Sequence, residues 1–177
     1  VTATGRLSSV SPNLHNIPVR TEKGKVFREV FVAQNNHKLL VADYNQIELR
    51  CIAHLSSDPG LINAFNDGQD IHTATAAQVF GVNDADVTKA QREKAKMVSY
   101  GLAYGMEAYG LAQRLGIENK EAAKILNDYF SAFPSVKEYM DKAVNQAKEK
   151  GFTETLFGRK RKIPELKSSN SRVRGAA

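Results

Sequence analysis

The densest polar cluster in the chain, Asp43-Tyr44-Asn45-Gln46-Ile47-Glu48-Leu49-Arg50, follows directly on the apolar run Leu39-Leu40-Val41-Ala42. A carboxylate at the end of an apolar strand is held rigidly yet stays open to solvent. That setting suits Mg²⁺, which takes a few carboxylate oxygens and completes its shell with substrate oxygens and water. A plainer role is also open to Asp43, that of capping the helix that begins two residues later. Glu48, one helical turn on, can be a surface charge. A second series, Arg92, Lys96, Tyr100 and Tyr104, recurs every four residues and so lies along one slowly drifting helix face. At ~1.5 Å of rise per residue, Arg92 to Tyr100 spans about 12 Å, the length of an extended nucleoside triphosphate. Two cations at one end of such a face can hold phosphates, and a ring farther along can pack against a sugar or base. The alternative is a solvated basic face whose tyrosines belong to the core. Gly101 and Gly105, poor helix formers, point to close backbone approach or to a helix end beside a ligand. His72, just after Asp70 at a helix start, can bond a phosphate oxygen or simply open the helix.

The elements that must position these groups follow from periodicity. Val26 to Ala33 and His37 to Tyr44 are apolar, β-branched runs on either side of Gln34-Asn35-Asn36, which predicts an antiparallel hairpin ending at Asp43. From Gln46 the apolar spacing changes to that of a helix, stopped by Ser56-Ser57-Asp58-Pro59-Gly60. Helices are predicted near 60–67, 70–80, 88–104, 119–132 and 135–150. The third of these enters through a Thr88/Gln91 capping box, and the fourth has Asn119 as its cap. Phe152 to Phe157 and Lys160 to Pro164, around Gly158-Arg159, predict a second hairpin with a basic tip. Residues 1–20 read as extended and irregular.

Composition narrows the possibilities. The 177 residues are 42% hydrophobic and 25% charged, enough for one domain or two small lobes with a real core. No apolar run approaches the ~18 residues of a membrane span, and no secretory signal is visible. One cysteine, Cys51, and four scattered histidines exclude an internal disulfide and offer no zinc spacing, so a reducing, cytoplasmic setting is expected. The net charge is +6, and residues 151–177 alone carry seven basic and two acidic side chains. A polyanionic partner fits that balance, as does a solvated basic surface. There is no P-loop, no dinucleotide-binding glycine fingerprint and no nucleophile elbow.

Taken together, these residues resemble the family A DNA polymerases over the whole chain. Thr4-Gly5-Arg6-Leu7-Ser8-Ser9, Pro12-Asn13-Leu14 and Asn16-Ile17-Pro18-Val19-Arg20 resemble the family's segment leading into the palm. Asp43 to Arg50 resembles motif A, differing at Asn45, and Arg92-x-x-x-Lys96-x-x-x-Tyr100-Gly101 with Tyr104-Gly105 resembles motif B of the fingers helix. The resemblance implies an α/β fold of the α+β type, an incomplete right-hand polymerase with antiparallel palm strands near 26–44 and 152–164 flanking helical fingers. Residues 1–56 would open the palm, 57–150 form the fingers and 151–177 lead back toward the palm. It implies a catalytic role for Asp43 and Lys96, with Asp43 and the Tyr44 carbonyl holding two magnesium ions. Gln46, Glu48, His72, Arg92, Lys96 and Tyr100 would meet the incoming nucleotide, with Glu48 blocking a ribose 2′-hydroxyl and Gln46 also reaching the primer end. Arg6, Asn13, Arg20, Arg50 and Tyr104 would touch the primer-template. The partners implied are primer-template DNA and deoxynucleoside triphosphates, bound by a monomer.

The reaction implied is template-directed addition of a deoxynucleotide to a primer 3′-hydroxyl with release of pyrophosphate, in replication and repair. Tyr100 stands where many relatives have Phe, from which efficient use of dideoxynucleotides is expected. His15, Asn45 and Glu93 also depart from the usual residues. Motif C, the source of the second catalytic carboxylate, does not occur before Ala177, so the 177 residues alone are expected to be inactive in primer extension. The rival reading is a noncatalytic nucleic-acid-binding module whose basic ends grip phosphate backbones.

Overall fold

A computed structural model describes residues 2, 4–18 and 21–175. Their helices are, in chain order, α1 (Glu22–Val26), α2 (Ile47–Ser56), α3 (Pro59–Asn66), α4 (Ile71–Phe80), α5 (Lys89–Ala103), α6 (Ala108–Leu115), α7 (Asn119–Ala132), α8 (Pro134–Lys150) and α9 (Ser171–Gly175). Two short strands, β1 (Phe152–Glu154) and β2 (Lys160–Lys162), pair antiparallel with Phe152 opposite Lys162 and Glu154 opposite Lys160. The fold is therefore α+β and predominantly helical. The chain divides into two compact units, Asn45–Lys150 and the combination of Val1–Tyr44 with Gly151–Ala177.

The helical unit is built from amphipathic helices that bury one another. α4 lies against α5 and α7, α6 against α7, and α2 against α3 and α8. Leu49, Leu61, Ile71, Val98, Leu111, Ile125, Tyr129, Phe133 and Val136 make the centre of this core. Burying each such side chain is worth roughly 1.5–3 kcal/mol. Helix starts follow local chemistry. Asp58 caps α3 by accepting from the Leu61 N–H at 3.2 Å, with Pro59 in the first turn where its missing N–H costs nothing. The expected capping box opens α5, the Gln91 N–H donating to Thr88 Oγ1 and the Thr88 N–H to Gln91 Oε1. α7 differs from expectation: its cap is Glu118, and Asn119 is already the first helical residue. α6 is an additional helix, ended by Gly116 at a φ of 65°.

In the second unit the predicted hairpin over 26–44 does not form. α1 runs to Val26, capped by Thr21, and residues 27–30 turn. The turn at Gln34-Asn35-Asn36 does form, closed by the His37 N–H on the Gln34 carbonyl at 3.0 Å, but its flanks make no ladder among the described residues. The physical reason is the missing buried face. Val30, Val32, Leu40 and Val41 are 71 to 91% exposed, and two strands without a face to bury are marginal in water. The second predicted hairpin is present with shorter strands. Its loop is closed by the Thr155 N–H on the Arg159 carbonyl, and Ile163 just beyond it is buried.

Candidate functional site

The contact of α4 with α5 gathers four of the residues singled out above. Asp70 caps α4, its Oδ1 accepting from the His72 N–H at 3.1 Å. Its Oδ2 accepts from Thr73 Oγ1 at 2.9 Å and from Arg92 Nε at 2.6 Å, joining the start of α4 to the first turn of α5. The Arg92 guanidinium, assisted by Thr73 and the His72 N–H, holds the Asp70 carboxyl down at about 2, and Asp70 in turn raises Arg92. One turn on from Arg92, Lys96 is exposed and makes no hydrogen bond or ion pair among the described residues. One turn farther, the half-buried Tyr100 ring meets the His72 ring, centroids 5.7 Å apart at 52°. The expected ordering of two cations and then an aromatic ring along one face is thus present.

His72 is 4% exposed, and its Nδ1 is buried without a hydrogen-bond partner. Burial lowers its pKa, against the opposing pull of Asp70 and with Arg92 and Lys96 adding to the decrease, which favours the neutral imidazole.

At the far end of α5, Tyr104 closes the helix and donates its hydroxyl to Glu48 Oε1 on α2 at 2.6 Å. Gly105 turns the chain out at a φ of 71°, and Gly101 leaves room for Met106, whose sulfur would lie 3.0 Å from a Cβ there. The two glycines thus end the helix and admit a close neighbour. Gln46, the residue before α2, is left-handed at φ 54° and offers no side-chain cap, a conformation that costs a non-glycine residue about 1–2 kcal/mol. Arg50 stacks 4.5 Å from the Phe65 ring centroid and donates Nε to the Asn45 carbonyl.

The remaining candidates lie in the other unit. Asp43 and Tyr44 are exposed, and Asp43 does not cap α2, whose N-cap is Gln46, so the plainer reading of Asp43 falls away. Asn13 Oδ1 accepts from the His15 N–H at 3.0 Å and so serves a local turn. Arg6 is exposed in a turn closed by Thr2, and the Gly5 carbonyl of that turn accepts from Arg159 Nη1 at 3.2 Å. Arg20 lies outside the described residues. Among the described residues no three His, Cys, Asp or Glu side chains form a ready-made cation cage, and no helix is long and apolar enough to cross a membrane.

Asp70 carries a local signal, as an acid immediately before a helix start, but nothing in the sequence ties it to an arginine 22 residues on, or Glu48 to Tyr104.

The sequence profile of DNA polymerase family A matches residues 1–177. The chain belongs to that family. It is 53% identical to DNA polymerase I of Caldicellulosiruptor bescii over 99% of its own length and 21% of that protein's. It is also 53% identical to DNA polymerase I of Pseudomonas aeruginosa, over its full length and 19% of that protein's. The chain thus spans about a fifth of the curated relatives it matches. Among solved structures it is similar to the POL domain of Pol1 from M. smegmatis in complex with DNA primer-template and dNTP. The TM-score is 0.91 at 49% identity, over 99% of this chain and 31% of that one.

Proposed function

We propose that this chain is the nucleotide-selecting part of a DNA-directed DNA polymerase that adds deoxynucleotides to a primer 3′-hydroxyl and releases pyrophosphate. The observation that supports this best is the α5 face: Arg92 fixed by Asp70, Lys96 exposed one turn on, and Tyr100 beyond. Triphosphate oxygens meet the two cations, with bidentate geometry available to Arg92 and a point charge from Lys96. Tyr100 packs on the nucleoside. Glu48, hydrogen-bonded to Tyr104, presents carboxylate bulk toward the sugar. Gln46 in its left-handed turn and Arg50 on Phe65 serve the primer end. Arg6, Asn13, Arg20 and Tyr104 contact the primer-template, mainly through backbone and shape, because base pairing reads the sequence.

In this reading residues 1–56 open the palm, 57–150 form the fingers and 151–177 return to the palm, and the enzyme works as a monomer in the cytoplasm. Asp43 and Tyr44 are adjacent, exposed residues, and a carboxylate beside a backbone carbonyl fits Mg²⁺ that draws its other ligands from phosphate and water. When bound, the metal supplies Lewis-acid stabilisation of phosphoryl charge.

The test is binding. The 177-residue chain is titrated with dTTP and Mg²⁺ and, separately, with a primer-template duplex. Lys96→Ala is expected to weaken the triphosphate by roughly tenfold, the scale of one charge-assisted contact, and DNA by much less. Equal losses for both ligands would replace this reading with that of a noncatalytic phosphate-backbone binder.

A further inference from the structure

We infer that Asp70 is a positioning residue of the nucleotide site, one that aims Arg92 at its phosphate. The inference rests on the reading above and adds a residue to it.

The two oxygens of Asp70 have separate tasks. Oδ1 accepts the His72 N–H and is thereby fixed to the start of α4. Oδ2, steadied by the Thr73 hydroxyl, takes Arg92 Nε at 2.6 Å. The carboxylate is therefore anchored on one rigid helix while it holds a side chain of the next. It holds Arg92 by Nε alone. Nη1 forms only a loose ion pair with Glu93 Oε1 at 3.8 Å, beyond hydrogen-bond range, so among the described residues neither Nη makes a hydrogen bond. A guanidinium fixed along its Nε edge has one plane and one open edge, and that edge carries the pair of Nη groups used for bidentate phosphate recognition. The rotamer freedom of Arg92 is then already lost before a ligand arrives, which favours binding.

An opposing effect exists. A carboxylate beside a phosphate site repels the phosphate, and by charge alone its removal would tighten binding. The Arg92 and Asp70 side chains are 36 and 40% exposed, so solvent screens that repulsion, whereas orientation is not screened. Orientation therefore wins, and the sign of the effect separates the two.

The test is a double-mutant cycle on the 177-residue chain, with dTTP and Mg²⁺ as the probe and calorimetry as the readout. Asp70→Asn keeps an oxygen for the His72 N–H and replaces the acceptor facing Arg92 with an amide nitrogen that cannot accept, so the helix start survives. Asp70→Asn is expected to weaken dTTP by roughly fivefold, and Arg92→Ala by about tenfold. In the Arg92→Ala background, Asp70→Asn is expected to give no further loss. A purely structural role would instead give the same loss in both backgrounds, which overturns the inference. Binding by Asp70→Asn as tight as the parent's, or tighter, also overturns it while leaving the Arg92 and Lys96 reading intact. Failure of that reading looks different: the parent shows no saturable dTTP binding and neither Arg92→Ala nor Lys96→Ala matters, and the inference falls with it. A ligand-free check is the Arg92 Nε–H resonance in ¹⁵N NMR, expected to exchange slowly in the parent and fast in Asp70→Asn. Equal exchange in both would refute the clamp.

Discussion

The unit Asn45–Lys150 builds the buried core, whereas the unit of Val1–Tyr44 and Gly151–Ala177 leaves most of its large apolar side chains exposed. In the first, Leu49, Leu61, Ile71 and Val136 are 0 to 2% exposed, while in the second Leu40, Val41 and Phe157 are 91 to 96% exposed. The difference lies in periodicity. A 3.6-residue apolar stripe finds a partner in the next helix a few residues on, so helical contacts are local and cheap in loop entropy. An apolar strand run such as Leu39-Leu40-Val41-Ala42 has value only when other strands pair with it. The cations proposed to meet the nucleotide stand on the self-sufficient unit, and the carboxylate of Asp43 stands at the end of the run that has no ladder.

The largest effect that tests this contrast is on stability. Phe133→Ala is expected to cost about 3–5 kcal/mol, because it empties a fully buried site between helices. Val41→Ser, at a site 91% exposed, is expected to change stability by less than about 0.5 kcal/mol. Urea unfolding followed by helical circular dichroism measures both. Comparable losses at the two positions would show that Val41 is buried in solution and that the contrast is wrong.

How far the sequence could be read follows the same division. The helices α2 to α5, α7 and α8 were legible because their apolar spacing and their caps, such as Thr88 with Gln91, are local signals that tertiary packing then satisfies. The expected strands over 26–44 are absent because apolar, β-branched runs encode a willingness to pair and say nothing of whether a partner is present. α6 lay beside the glycines that end α5, where helix propensity is weak. Within the site, the order Arg92, Lys96, Tyr100 was legible as a four-residue repeat. The burial of His72 and the grip of Asp70 on Arg92 depend on how α4 meets α5, and no local pattern encodes an angle between helices.

A smaller effect should appear in the pH dependence of the helical unit. The His72 pKa is lowered chiefly by burial, so the unfolded chain takes up that proton first as pH falls. The neutral imidazole's contribution is therefore present above about pH 6.5, the unfolded value, and is lost as pH falls below it. The charges of Asp70 and Glu93 moderate the shift, while those of Arg92 and Lys96 enlarge it. His72→Gln is expected to flatten the stability profile between about pH 7 and pH 5 relative to the parent. An unchanged slope would mean that the ring is solvated, and with it the turn that carries Asp70.

The smallest effect belongs to Asp70, and its sign is still decisive. Its carboxyl is held at about 2 in the folded chain against an ordinary value of 3.8, with Arg92 the first cause. The stabilisation is complete above the unfolded value and is lost as pH falls from about 4 through about 2. With both partners more than a third exposed, screening limits it to under about 1 kcal/mol. The stability gap between the parent and Asp70→Asn should therefore be largest near neutral pH, narrow steadily below about pH 4, and shrink in high salt. Asp70→Asn retains an acceptor for the His72 N–H, so loss of the helix cap cannot imitate that pattern. A gap constant across the acid range would mean that Arg92 does not share its charge with Asp70 in solution, and an Arg92 released in that way would reach a phosphate with no preset direction.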